Sequence, residues 1–143
     1  MGILKAIKEE VAGEYIRDCC KNYDIELLLL FGSIARGTEH QGSDIDLAYR
    51  RKNKLELPHE MEFIDSLKTI FNLEEYTVDL VYITEADPLL LKKISEDALL
   101  IFGSEEKFYK FKRFAFHKYS DYKPYLQREK IETSKLIERL KSA

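Results

Sequence analysis

Residues 27–49 read LLLLFGSIARGTEHQGSDIDLAY, and this stretch decides the fold. It opens on the apolar run Leu27-Leu28-Leu29-Leu30-Phe31. A run this short, closed by Gly32-Ser33, predicts a strand buried on both faces. After the turn at Gly32-Ser33 a short helix is expected over 33–37, with Gly37 as its stop signal. Residues 39–42 read as loop. From 44 to 50 the pattern alternates, with Asp44, Asp46 and Ala48 on one face and Ile45, Leu47 and Tyr49 on the other.

That order of elements has chemical consequences. A glycine after a buried strand and before a helix lets a phosphate approach the backbone, because no Cβ blocks it. The helix start leaves N–H groups without intrahelical partners, and these bind anions. The Ser33 hydroxyl can donate to a phosphate oxygen. Arg36, one turn on, can aim its guanidinium at the same group. By itself the Gly-Ser pair is equally an ordinary capped turn. Asp44 and Asp46 shift that balance, since a period of two sets both carboxylates on one strand face. Hard oxygen ligands without neighbouring His or Cys favour Mg²⁺ or Mn²⁺ over zinc.

Outward from this stretch, residues 3–22 carry Ile3, Leu4, Ile7, Val11, Tyr15, Ile16 and Cys19 at helical steps, which predicts one amphipathic helix. Pro58 suits the first turn of a helix running to about 72. Residues 76–84, YTVDLVYIT, are rich in β-formers and predict a strand. Asp79 lies in the middle of that segment, which otherwise reads as core. A carboxylate there costs several kcal/mol unless it is paired or bound to metal. If the two acidic strands are neighbours, Asp79 joins Asp44 and Asp46. Asp87 and Pro88 read as N-cap and first position of a helix through 96. Residues 98–102 form a last short strand, ended by Gly103. The C-terminal third is helical, with Pro124 expected to break or kink it.

The alternation of strands and helices predicts an α/β or α+β fold with a sheet of about four strands. Its 143 residues fit a single domain, with a core over about 1–103 and a helical extension over about 104–143. Hydrophobic residues at 45% and charged residues at 34% are the balance of a globular chain. No apolar run reaches membrane-span length, and the charged N-terminus is not that of a signal peptide, so the cytoplasm is the expected location. The adjacent Cys19 and Cys20 read as free thiols on a helix.

The net charge of −3 is unevenly distributed. Residues 1–103 hold 12 Lys and Arg against 20 Asp and Glu, whereas residues 104–143 hold 11 against 6. The basic tail is expected to pack as a solvated helix face on its own acidic body, the alternative being an acidic partner. His40 and His59 read as a loop residue and a helix-start residue without partners.

Taken together, Gly32-Ser33, ten intervening residues, Asp44-x-Asp46 and a later strand aspartate resemble the nucleotidyltransferase superfamily that includes DNA polymerase β. The short chain and the form GSIARG…GSDIDL further resemble the minimal nucleotidyltransferases that serve as antitoxins in HEPN–MNT toxin–antitoxin pairs. The resemblance implies a mixed sheet flanked by helices and a two-metal transfer of AMP from ATP to a tyrosine of a HEPN ribonuclease toxin, silencing it. Asp44, Asp46 and Asp79 would be the catalytic and metal-binding residues, holding two Mg²⁺ ions, with Mn²⁺ as a substitute. Gly32, Ser33, Arg36 and Ser43 would bind the nucleotide. A small-molecule nucleotidyltransferase of the aminoglycoside type and a non-catalytic antitoxin are the competing readings. A nucleic-acid role rests on the basic tail alone. Arg113 and His117 are too close in sequence for the toxin's own Arg–His motif.

Overall fold

The computed structural model describes residues 2–11, 13–38 and 42–142. His40 lies outside the described residues.

The apolar run forms β1 (Leu27–Phe31), and every residue in it is buried. It is a central strand of a four-stranded sheet in the order β3-β2-β1-β4, where β2 is Ile45–Arg50, β3 is Val78–Tyr82 and β4 is Leu99–Phe102. Strand β1 runs antiparallel to β2 and β4, while β2 and β3 run parallel, which makes the sheet mixed. Because side chains alternate across a strand, β1 feeds two cores. Leu28 and Leu30 join Tyr49, Phe63 and Leu67 on one face, and Leu27, Leu29 and Phe31 join Ala48, Leu91 and Phe111 on the other. Burying each such leucine stabilises by roughly 1.5–3 kcal/mol, so β1 is the seam of the molecule.

The first face is covered by α1 (Ile3–Val11), α2 (Glu14–Asn22) and α4 (Leu57–Phe71), and the second by α5 (Pro88–Asp97) and the start of α6 (Glu105–Ser142). The expected single helix over 3–22 is therefore two. Gly13 is the N-cap of α2, in extended conformation, and its N–H bonds the Glu10 carbonyl at 2.9 Å. Glycine's backbone freedom makes it the cheapest place to break a helix. The start of α5 follows expectation: Asp87 accepts a bond from the Leu90 N–H at 2.8 Å, with Pro88 at the first position. Cys19 and Cys20 are buried and free, and burial pushes both thiols up from their ordinary pKa, so they pack as protonated side chains.

Two expectations for the C-terminal third are corrected. Pro124 does not end α6, which continues as one helix of 38 residues. The proline removes one backbone donor, and the carbonyl so released belongs to Ser120, an exposed residue. The basic tail settles onto the acidic body in its first half only. Phe111 and Ala115 are buried against α5, whereas residues 127–142 are exposed throughout. Among the described residues, no ion pair joins the tail to the body; Lys110 pairs only with Glu106 of its own helix.

Candidate active site

Strands β2 and β3 bring the acidic residues together. Asp46 is the register partner of Asp79 and Leu47 that of Leu80. In a parallel pair, register partners point to the same face. Ala48 and Val81, two residues along each strand, belong to the core under α5, so Asp46 and Asp79 face α5 as well. Asp44 shares that periodicity, immediately before β2, and is exposed.

On the other side of β2, the end of β1 brings up the phosphate-type turn. Phe31 pairs with Asp46, and Gly32 follows it at φ +82. A Cβ on Gly32 would collide with the carboxylate of Asp46, so the turn and the carboxylate are in direct contact only because residue 32 is glycine. Short helix α3 (Gly32–Arg36) starts there with no side chain capping its N-terminus, and it stops at Gly37, which has φ +73.

These elements enclose a cleft of ≈ 330 Å³ lined by Phe31, Gly32, Ser33, Arg36, Asp46, Asp79, Val81, Leu90 and Lys93. Five residues named from sequence thus meet in one place: Gly32, Ser33, Arg36, Asp46 and Asp79. Two lie beside it. Asp44 is outside the lining but acts on Asp46 through its charge, and Ser43 is buried just before β2. Two larger grooves, ≈ 730 Å³ by β4 and ≈ 710 Å³ between α2 and α4, contain none of these carboxylates, so volume does not choose the site.

The electrostatics differ from the sequence reading in one respect. Asp79 is exposed, because β3 is the outer strand of the sheet, so the desolvation argument made for it does not hold. Asp46, on the inner strand, takes that role. Burial pushes its pKa up, the negative charges of Asp79 and Asp44 push it further, and Lys93 and Arg36 pull the other way. Accumulated negative charge on oxygen ligands fits a hard cation. Among the described residues no three His, Cys, Asp or Glu side chains close around one ion.

Lys93 was not visible from the sequence. It lies on α5, far along the chain from the turn, in a helix with no motif of its own. Arg36 pairs with Asp97 of α5, Nη1 to Oδ2 at 2.6 Å, which links α3 to α5 across the cleft. His59 is exposed in the first turn of α4, as are Arg113 and His117 on α6.

A mixed sheet carrying a Gly-Ser turn against paired strand aspartates defines a nucleotidyltransferase domain. Residues 14–107 match the family model "Polymerase beta, Nucleotidyltransferase", and the chain belongs to that family. The relatives it resembles within the family are of the minimal, MntA type. The protein adenylyltransferase MntA of Shewanella oneidensis is 28% identical over 82 residues, a match covering 57% of this chain and 57% of that protein. The chain thus matches a little over half the length of that relative. Among solved structures, a toxin–antitoxin complex with AMP-PNP superposes with a TM-score of 0.70 at 22% identity, over 84% of this chain and 96% of that one. A tri-AMPylated Shewanella oneidensis HEPN toxin in complex with its MNT antitoxin gives a TM-score of 0.67 at 18% identity, over 90% and 98%. At these identities the superpositions establish the shared fold. No helix among the described residues is long and apolar enough to cross a membrane.

Proposed function

We propose that this chain is an antitoxin that transfers AMP from ATP to a tyrosine hydroxyl of a partner HEPN ribonuclease. One observation carries the reading: Asp46 and Asp79 stand in register on one face of one cleft, with Asp46 directly against Gly32. The resemblance to MntA supports the choice of a protein acceptor.

In this reading Gly32 and Ser33 hold the β- and γ-phosphates, using the uncapped start of α3. Arg36 lies within reach of the same phosphates, and Ser43 supports the approach to β2. Asp44 and Asp46 would hold one Mg²⁺ ion and Asp79 would help to hold a second, with phosphate and acceptor oxygens completing each set. When bound, the ions neutralise the phosphate charge and lower the barrier to attack. The tyrosine oxygen forms a bond to the α-phosphorus, the bond from that phosphorus to the bridging oxygen breaks, and pyrophosphate leaves. The hydroxyl proton departs beside Asp79, which as the exposed member of the pair is open to an incoming protein chain. A cytoplasmic setting supplies both ATP and partner.

The test uses the purified chain, ATP, Mg²⁺ and a HEPN protein of the kind that MntA-type chains accompany. The expected result is a mass gain of one or more AMP units on a partner tyrosine, lost with Asp46→Asn. No gain, or a gain that survives Asp46→Asn, overturns the assignment. Neutralisation by binding alone has one observation in its favour, the exposed apolar residues Ile131, Leu136, Ile137 and Leu140 of α6. A variant with all three aspartates changed to Asn separates the two readings: continued protection of cells favours binding, and loss of protection favours transfer.

A further inference from the structure

The cleft holds two cationic side chains, and α5 controls both. Leu90, Lys93 and Asp97 recur at three- and four-residue steps and so share one edge of that helix. Leu90 and Lys93 line the cleft directly. Lys93 is exposed and makes no ion pair among the described residues, although its charge is felt by Asp46. Asp97 reaches the cleft through another residue. Its side chain is only 14% exposed, against 44% for Arg36, and it grips Nη1 of that arginine at 2.6 Å. The contact is short and Asp97 is its better-shielded partner, so it biases where the guanidinium sits. The guanidinium, with its five donors in a fixed plane, keeps its remaining N–H groups for the cleft it lines.

We propose that α5 is the phosphate arm of the site: Lys93 contacts the triphosphate directly, and Asp97 is a positioning residue that holds Arg36 in place to contact it too. This rests on the reading of the cleft as an ATP site. It goes further in dividing the labour. Strands β2 and β3 supply the carboxylates, and the α3–α5 pair supplies the positive charge that a polyphosphate requires. Lys93 offsets the charge of Asp46, and a nucleotide would give it phosphates as partners. A lysine acts here as a point charge, so Arg substitutes for it in part.

The measurement is AMP-PNP binding to the full chain by calorimetry, with Mg²⁺ present. Lys93→Met is expected to weaken binding about 10- to 100-fold, the range of a lost charge-assisted contact, with Lys93→Arg recovering part of it. Asp97→Asn is expected to weaken binding about 3- to 10-fold, with Asp97→Glu restoring most of it. The decisive variant is the double Arg36→Ala, Asp97→Asn. If Asp97 acts through Arg36, the double variant binds no more weakly than Arg36→Ala alone. Wild-type affinity in Lys93→Met, or a further loss in the double variant, overturns the proposal while leaving the ATP reading intact. Failure of the wild-type chain to bind AMP-PNP overturns both.

Discussion

Asp46 and Asp79 face each other across β2 and β3, on the same side of the sheet and in the same cleft. Their surroundings nevertheless differ. Asp46 lies on an inner strand, under Gly32, and burial and its two acidic neighbours push its pKa up. Asp79 lies on the outer strand and is exposed. On the proposed reading, two identical side chains in one register have different tasks: the shielded carboxylate beside Gly32 would serve the donor, and the open one would meet the acceptor. Position in the sheet, not residue type, makes the distinction.

This contrast can be broken experimentally, and the largest effect should come from Asp46→Asn. It should lower AMP transfer by about 10³-fold or more, equivalent to roughly 4 kcal/mol of lost stabilisation, and it should abolish Mg²⁺-dependent AMP-PNP binding in calorimetry. Asp79→Asn should lower transfer by about 10²-fold yet leave AMP-PNP binding within a few-fold of wild type. If both variants lose nucleotide binding equally, the division between donor and acceptor carboxylates is wrong.

Gly32→Ala tests the contact that sets Asp46 apart. The added methyl group meets the Asp46 carboxylate at a backbone conformation that disfavours alanine. The expected cost is about 1–3 kcal/mol of stability, read as a lower urea midpoint, together with loss of AMP-PNP affinity. A variant that unfolds and binds like wild type would show that the turn and the carboxylate are not in contact.

The smallest effect concerns stability and pH. A carboxyl whose pKa is raised by folding opposes folding when ionised. That cost is absent below the unfolded pKa and appears as pH rises through the folded one. Asp46→Asn should therefore raise the melting temperature of the metal-free protein at neutral pH by about 1–3 °C, and the gain should fade as pH falls into the carboxylate range.

The sequence made the donor half of the site legible because its signals are local. The apolar run, Gly32-Ser33, Gly37 and the alternation at Asp44 and Asp46 each express a rule that operates within a few residues. The single helix over 3–22 was misread because its apolar spacing continues past Gly13, where the backbone breaks. Asp79 was read as buried because an edge strand and a central strand share the composition Val-x-Leu-Val-Tyr, and only strand order separates them. Lys93 and Asp97 gave no signal, since their roles depend on α5 crossing the cleft. The tail was misjudged because its charge said nothing about reach: α6 outruns the body that was expected to receive it.

The most direct test of the account is a comparison of two labels. ATP labelled at the α-phosphate and ATP labelled at the γ-phosphate are each incubated with the chain, Mg²⁺ and the proposed HEPN partner, and that protein's tyrosines are then read for label. The account predicts label from the α position only, and none with Asp46→Asn. Label arriving from the γ position, or α-label persisting in Asp46→Asn, would contradict it.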